Sequence, residues 1–206
     1  MSGLGGRAGP ALVEVTPPAD VARLTALVLA APWFMDALRA GRTLGLAHWC
    51  IGAGALRNLV WDALHERQGP PALADVDFAY FCDRDLSPAR DAELQQRLQQ
   101  HCPDLPWEVT NQAGVHLWFE AHFGHAVAPL ISLEDAVATW PEPATAVGVW
   151  LDGADHLQVI APLGLDDLLQ LRVRHNPRRA SLATYRERCA SKRYAQRWPR
   201  VTVDAA

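Results

Sequence analysis

A turn containing two glycines, Gly52-Ala53-Gly54, separates an apolar run from a helical pattern, and this order limits the fold more than any other feature. The apolar run, Leu46–Ile51, predicts a short buried strand. Residues Ala55–Arg67 carry apolar side chains at helical spacing, which predicts a helix just after the turn. Val76–Phe81 predicts a second strand. The pattern therefore indicates a strand, a glycine turn, a helix and another strand.

Strands and helices continue to alternate along the chain. Asp152-Gly153 separates two β-prone runs, Ala146–Leu151 and His156–Ile160, and predicts a hairpin whose loop exceeds two residues. The other predicted elements are a helical run from Asp20 that stops at Gly41 and is split at Pro32, a helix from Ser87 to about His101, a strand over Trp107–Thr110, a helix after Ser132, and helices over Gly164–Leu171 and Tyr185–Arg197. This order predicts an α/β or α+β fold.

The composition is that of an ordinary globular protein. The 206 residues are 50% hydrophobic and 20% charged, and no stretch approaches 18 consecutive apolar residues, so we expect no membrane partner. Residues 1–18 lack the order of a secretory signal, and we expect a loose leader, a single domain over residues 19–206 and a cytoplasmic location. The four cysteines form no Cys-x-x-Cys pair, which favours free thiols.

Two aspartates, Asp75 and Asp77, stand two residues apart at the second predicted strand. Alternate residues of a strand point to the same face, so the two carboxylates lie side by side. Carboxylate pairs suit Mg²⁺, a hard cation, with Mn²⁺ as the alternative ion. Glu108 lies between two apolar residues on the next predicted strand. If the two strands are neighbours, Glu108 completes the metal site or deprotonates an incoming hydroxyl.

The glycine turn suits the opposite end of a nucleotide. Gly52 and Gly54 permit the close approach of another backbone or of a phosphate. The N-terminus of the following helix favours an anion, and Arg57 in its first turn is placed to reach a phosphate oxygen. One end of the unit thus favours a triphosphate and the other a metal ion. Together they predict metal-assisted attack on a nucleotide phosphorus.

Other polar and aromatic groups each have two interpretations. Asn111 and Gln112 either contact a base or ribose or cap the end of the strand. Asp167 and its neighbour Asp166 either start a helix or contribute to function. The density of His116, His122 and His125 with Glu120 invites a zinc interpretation, but no zinc spacing is present and surface histidines are the alternative. Most of the eight tryptophans are expected in the core, although Trp107 or Trp118 could stack on a base.

The net charge of −4 hides a strong asymmetry. The segment Arg172–Ala206 holds ten basic and two acidic residues, a net charge of +8, whereas the rest of the chain carries −12. A basic C-terminal segment is typical of contact with an anionic ligand or a nucleic acid. The alternative is that an arginine-rich helix packs against the acidic body of the protein.

At these residues the chain resembles a known superfamily. The segment Gly54–Asn58, followed by Asp75-Val76-Asp77, is similar to the glycine turn and paired aspartates of the DNA polymerase beta nucleotidyltransferase superfamily. It looks most like the GG-x-x-R-[DN] start of tRNA nucleotidyltransferases and bacterial poly(A) polymerases. More closely, it resembles a small bacterial nucleotidyltransferase-like family of unassigned substrate. That resemblance covers residues 20–203 and rests on ordered motifs that include Arg57-Asn58 with Trp61, Tyr80-Phe81, Asn111-Gln112-Ala113, Trp140-Pro141, Asn176-Pro177, Lys192 and Trp198-Pro199.

The resemblance implies a polymerase-beta-like fold, a mixed sheet flanked by helices with a C-terminal hairpin and helices. It implies transfer of a nucleoside monophosphate from a nucleoside triphosphate to an unassigned acceptor hydroxyl with Mg²⁺, and it extends the nucleotide site to Asn58. Ala55 departs from the usual Gly or Ser and Gly114 from the usual Arg, which motivates the alternative of a non-catalytic nucleotide- or partner-binding module. An RNA-binding role for the basic segment is a third hypothesis.

Overall fold

A five-stranded sheet, in the order β3-β2-β1-β4-β5, forms the centre of a computed structural model that describes residues 18–69 and 73–205. The strands are β1 (Trp49–Gly52), β2 (Val76–Tyr80), β3 (Trp107–Asn111), β4 (Gly148–Leu151) and β5 (Leu157–Ile160), and a two-stranded sheet joins β6 (Arg172–Val173) to β7 (Thr202–Val203). The helices are α1 (Ala19–Leu29), α2 (Pro32–Thr43), α3 (Ala53–Leu64), α4 (Pro88–His101), α5 (His116–Phe123), α6 (Leu133–Val137), α7 (Asp166–Leu169), α8 (Leu182–Lys192) and α9 (Tyr194–Arg197).

The main sheet is mixed, as the resemblance implied. β1 pairs antiparallel with β2 and β4, β2 pairs parallel with β3, and β4 and β5 form the predicted hairpin. The parallel pair places Asp77 opposite Glu108. Adjacent strands in a sheet are about 4.8 Å apart, so these two residues are neighbours on one face. The predicted adjacency of the two acidic strands is therefore correct.

Apolar side chains cover both faces of the sheet. One face carries Ile51 and Phe78, which belong to the main core with the buried residues of α1 to α4. The opposite face carries Cys50 and Ala79, which pack against Leu133 and Val137 of α6. Asp77 shares this second face because it alternates with Phe78. The helix-flanked, mixed α+β architecture confirms the predicted fold class.

Several element boundaries differ from the sequence prediction. The second helix does not stop at Gly41 but continues to Thr43. Gly41 has a packing role instead, because it lies against the rings of Trp49 and Phe78, which leave no room for a side chain. The last predicted helix is two helices, broken at Arg193, whose φ of 49° is left-handed.

The first helix begins at Ala19, so Asp20, which we predicted as the start of the helical run, lies in its first turn. Helix α5 was not predicted, because its own apolar residues occur on all sides of the helix and leave no periodic pattern.

No single helix in the described ranges is long and apolar enough to cross a membrane, and α1 with α2 meets the length only as a pair bent by 96°. The predicted leader falls almost entirely on residues 1–17, outside the described residues. The prediction of one domain over residues 19–206 stays a prediction.

Candidate active site

One cavity of about 300 Å³ lies at the glycine turn, and we call it the acidic cavity. Its walls include the three predicted carboxylates, Asp75, Asp77 and Glu108, together with Gly54 and Gln112. Three cationic side chains also line it: Arg57, Arg188 and Lys192. The fold thus gathers residues from β2, β3, the start of α3 and the distant helix α8 around one space.

Asp77 is the most perturbed carboxylate of the cavity. Burial, followed by repulsion from Asp75 and Glu108, raises the pKa of Asp77 to about 7, against an ordinary value of 3.8. The backbone N–H of Gly54 donates a hydrogen bond to Asp77 and, with the charge of Lys192, opposes this rise. Crowded carboxylates of this kind fit a hard divalent cation, because its charge relieves their repulsion. Within the described ranges, however, no three His, Cys, Asp or Glu side chains form a ready-made metal site.

Ala53, at the junction of β1 and α3, has a strained backbone. Ala53 has a φ of 48°, a left-handed conformation that costs a non-glycine residue about 1–2 kcal/mol, and its N–H donates to the Val147 carbonyl at 3.2 Å. Counted back from Arg57, the two glycines of the GG-x-x-R-[DN] pattern fall at Ala53 and Gly54. The departure assigned to Ala55 is therefore corrected: Ala55 is fully buried in the core, where a hydroxyl could not face the cavity.

The two glycines of the turn serve different purposes. A Cβ on Gly52 would lie 2.4 Å from the Val147 carbonyl oxygen, so this glycine permits close strand pairing and does not line the cavity. A Cβ on Gly54 would lie 3.5 Å from Asp75 Oδ1 and 4.0 Å from Asp77 Oδ2, which is ordinary contact. Only Gly54 therefore keeps space open beside the carboxylates.

This difference predicts opposite outcomes for two matched substitutions. We expect Gly52→Ala to lower the free energy of unfolding by about 2 kcal/mol, because the backbone of β4 would have to move. We expect Gly54→Ala to leave that free energy within about 0.5 kcal/mol of wild type but to weaken nucleoside triphosphate binding. Urea denaturation and calorimetric titration with a nucleotide measure the two effects, and equal destabilisation by both variants would contradict the assignment.

Arg57 is enclosed by aromatic rings. Its guanidinium carbon lies 5.0 Å from the ring centre of Tyr194 and 5.4 Å from those of Trp61 and Trp198. Nη2 donates to Asn58 Oδ1 at 2.7 Å, and Nη1 lies 3.5 Å from the Tyr194 hydroxyl. Burial lowers the pKa of Arg57. Arg57 thus contributes positive charge to the wall of the cavity, Asn58 contacts it from outside the wall, and its buried Nε has no hydrogen-bond partner among the described residues.

Asn111 and Gln112 separate into two roles. The Asn111 amide nitrogen donates to the carbonyls of Cys82 and Asp85 at 2.7 and 2.9 Å, and its oxygen accepts from two backbone N–H groups. Asn111 lies outside the cavity walls, so its contacts favour the capping interpretation. Gln112 is buried but lines the acidic cavity, as a nucleotide-binding residue would.

Sequence reasoning gave no role to Glu142 or Arg188. Glu142 is 1% exposed and accepts hydrogen bonds from Arg188 Nε at 2.7 Å, Arg188 Nη2 at 3.2 Å and Thr145 Oγ1 at 2.9 Å. Burial lowers the pKa of Arg188, but the hydrogen bonds and charge of Glu142 contribute to a net rise, and the pairing holds the guanidinium at the cavity. Arg188 and Lys192 are four residues apart on α8, so they share one face of that helix. Glu142 and Arg188 are 46 residues apart in the chain, so no local sequence pattern predicts their pairing.

Part of the basic C-terminal segment pairs with acidic residues of the rest of the chain. Arg174 pairs with Asp167 at 2.7 Å, and Arg178 pairs with Asp135 at 3.4 Å. With the Glu142–Arg188 pair, these contacts support the packing alternative for part of this charge. The buried Asp167 beside Arg174 likewise favours a structural role for that aspartate.

The other secondary candidates lie away from the acidic cavity. Trp107 is 5% exposed and donates to the Cys102 carbonyl, which gives it a structural role. His116 does not line the acidic cavity. Gly114 lies against Leu86.

A family model described as nucleotidyltransferase matches residues 39–203, which span the whole acidic cavity. The chain belongs to this nucleotidyltransferase family. No curated protein matches the sequence significantly.

Solved structures agree with the family. A protein whose NMR structure is described as revealing a CCA-adding enzyme head domain is 26% identical, with a TM-score of 0.76 over 90% of this chain and 96% of that one. A CCA-adding enzyme in complex with ATP (12% identity, TM-score 0.53) and the Thermotoga maritima CCA-adding enzyme complexed with tRNA (12%, 0.50) match 88% and 95% of this nucleotidyltransferase. The match covers only 43% and 42% of those two chains, and at this identity it shows the fold alone.

Proposed function

We propose that this nucleotidyltransferase is an active enzyme that transfers a nucleoside monophosphate from a nucleoside triphosphate to an acceptor hydroxyl. The observation that carries the proposal is the acidic cavity, where three carboxylates and three cationic side chains meet beside the N-terminus of α3. Carboxylates suit a divalent cation and cationic groups suit phosphates, so one space offers both halves of a metal–triphosphate complex.

The phosphate end of the cavity lies at the start of α3. The free N–H groups of that helix favour an anion beside Gly54. Lys192 and Arg188 face the same space from α8 and supply donors that sequence reasoning had assigned to Arg57. We assign the β- and γ-phosphates to these two residues and Gly54, with the enclosed Arg57 adding charge from behind.

The carboxylates form the reacting end. Asp75, Asp77 and Glu108 would hold Mg²⁺ or Mn²⁺, which when bound neutralises phosphate charge and polarises the α-phosphorus. Glu108 is exposed and lies on β3, the edge strand of the sheet. We therefore assign it the role of accepting the proton of the acceptor hydroxyl. The acceptor oxygen forms a bond to the α-phosphorus, the bond from that phosphorus to the bridging oxygen breaks, and pyrophosphate leaves.

Lys192 provides a test of the phosphate assignment that leaves all three carboxylates in place. We expect Lys192→Gln to weaken nucleoside triphosphate binding about tenfold, the equivalent of about 1.4 kcal/mol, because one charged donor is lost. Arg186→Gln, an exposed residue of the same helix that does not line the cavity, is the matched control. Calorimetric titration measures both variants, and equal affinities for the two would contradict the assignment.

The function itself is tested by following the α-phosphate. The protein is incubated with each of four nucleoside triphosphates labelled at that phosphate, with Mg²⁺ and a cell extract. We expect label to move to an acceptor and pyrophosphate to be released in equal amount. Release of labelled nucleoside monophosphate alone, or no release with any nucleotide, would contradict the proposal.

A non-catalytic nucleotide-binding module is the second candidate. The enclosure of Arg57 by three rings favours it, because the grip that the sequence predicted for this residue is weakened. Calorimetry with a nucleotide and Mg²⁺, followed by a pyrophosphate assay, separates the two candidates. Binding without release would favour the module.

Partners follow from the same assignment. A nucleoside triphosphate is the first, and the similarity to structures in complex with ATP and with tRNA supports nucleotide and nucleic-acid ligands as classes. If RNA binds through the basic segment, its affinity falls steeply as salt rises, whereas a flat salt dependence would dismiss this partner.

A further inference from the structure

A second cavity, which we call the apolar cleft, opens beyond Glu108. It has a volume of about 240 Å³ and shares Glu108, Gln112 and Trp140 with the acidic cavity. Its other walls are mainly apolar or aromatic and include Val115, Trp118, Phe119, Phe123, Leu130 and, as its cation, Arg179. The proposed reaction assigns no ligand to this adjoining space.

The order of the strands gives the cleft a position relative to the reaction. Gly54 follows β1, Asp77 lies on β2 and Glu108 lies on β3, and the three strands are adjacent in that order. In an in-line displacement the attacking oxygen approaches from the side opposite the leaving group. With the leaving phosphates beside Gly54, the attacking hydroxyl enters from the Glu108 side, where the cleft opens.

The walls indicate what kind of molecule fits. Phe119 and Phe123 have ring centres 4.5 Å apart, and Trp118, 46% exposed, lies beside Phe119 at 6.3 Å. Such walls favour a flat, apolar body. The Arg179 guanidinium lies 5.7 Å from the Phe119 ring centre, its Nη2 donates to the Ala128 carbonyl, and its buried Nη1 has no hydrogen-bond partner among the described residues. An oxygen acceptor on the ligand would supply that partner.

The size and surroundings favour a small molecule over a nucleic-acid end. Ligand pockets for drug-sized molecules begin at roughly 300 Å³, so 240 Å³ suits a single substituted ring. Arg178, the residue next to Arg179, is paired with Asp135 and does not extend a phosphate track from the cleft.

We propose that the apolar cleft binds the acceptor, and that the acceptor is a small aromatic compound with a hydroxyl for Glu108 and a carboxylate or carbonyl for Arg179. The inference rests on the proposed nucleotidyl transfer. The hydroxyl oxygen forms the new bond to the α-phosphorus, its proton passes to Glu108, and the bond to the departing pyrophosphate breaks.

The test uses 4-(hydroxymethyl)benzoate as the probe, because it carries a hydroxyl and a carboxylate at opposite ends of one ring. Binding to the full chain is measured by calorimetry without nucleotide. We expect saturable binding that weakens at least tenfold in Trp118→Ala and in Arg179→Gln. Two matched controls should bind as wild type does: Leu117→Ala, an exposed residue of the same helix outside the cleft, and Arg178→Gln.

Absence of saturable binding, or binding that Trp118→Ala and Arg179→Gln leave unchanged, would overturn the proposal. So would a short RNA oligonucleotide that binds in a Trp118-dependent way when the probe does not. Asp77→Asn separates the two levels of inference, since it should keep probe binding while losing transfer. Cleft-dependent probe binding by a wild-type protein that releases no pyrophosphate would refute the proposed function and leave the ligand class of the cleft standing.

Discussion

Asp77→Asn should reduce nucleotidyl transfer by at least about 1,000-fold while leaving the fold intact. The substitution removes the central carboxylate of the three, which lies opposite Glu108 and accepts a hydrogen bond from the N–H of Gly54. A metal ion that stabilises transition-state charge contributes several kcal/mol, and a loss of about 4 kcal/mol corresponds to a thousandfold in rate. Pyrophosphate release measures the loss.

The same variant should be more stable than wild type at pH 8 in the presence of a chelator. The pKa of Asp77 is about 7 in the folded protein against 3.8 ordinarily, so the folded state holds this proton more tightly. The contribution of Asp77 to stability therefore falls as the pH rises from about 4 to about 7. Asparagine carries no charge and escapes this penalty. Melting temperatures at pH 5 and pH 8 measure the difference.

Asp166→Asn is the matched control, because Asp166 is exposed and lies outside the acidic cavity. It should keep both the activity and the pH profile of wild type. If Asp77→Asn retained turnover, the catalytic role of Asp77 would be wrong. If the variant had a lower melting temperature than wild type at pH 8, the electrostatic explanation would be wrong.

Glu142→Ala should lower the free energy of unfolding by about 3 kcal/mol. Glu142 is fully buried and accepts hydrogen bonds from Arg188 and Thr145, and Tyr194 lies 3.4 Å away. Removal of one partner of a buried ion pair leaves the other charge uncompensated, which costs about 3–5 kcal/mol. The lower end applies because the Arg188 side chain is 32% exposed and can turn towards water. Urea denaturation measures the change.

The substitution should also weaken nucleotide binding, because Arg188 loses the carboxylate that directs it to the acidic cavity. Glu187→Ala, an exposed acid one residue before Arg188, is the control and should change the unfolding free energy by less than about 0.5 kcal/mol. A Glu142→Ala protein as stable as this control would show that the network around Arg188 has little energetic weight.

Local patterns were sufficient for the elements that carry the carboxylates. Strand alternation predicted that Asp75, which directly precedes β2, and Asp77 share one face, and the glycine turn gave the start of α3 to within two residues. The proposed neighbour relation of Glu108 was correct because β2 and β3, joined through helix α4, pair in parallel. Strand periodicity is a short-range property, so it is legible in the sequence.

Other site residues have surroundings that the local sequence does not reveal. Arg57 has the chemistry of a phosphate ligand and lines the acidic cavity, but Trp61, one helical turn away, and Tyr194 and Trp198, from a distant part of the chain, close around it. The space beside Gly52 is taken by the Val147 carbonyl. The contacts with Tyr194, Trp198 and Val147 join distant segments, so local sequence does not reveal them.

The amino-acid order alone determined which side chains could do chemistry and on which strands they stand, because hydrophobic periodicity and glycine turns act over a few residues. Only the tertiary structure decided which cations reach the carboxylates, because the long-range pairing of Arg188 with Glu142 joins α8 to the segment before β4. It also decided that the aromatic residues of α5 form a cleft beside Glu108. Contacts between distant segments pair the buried charges and cover the apolar surfaces, and these contacts exist only in the folded chain.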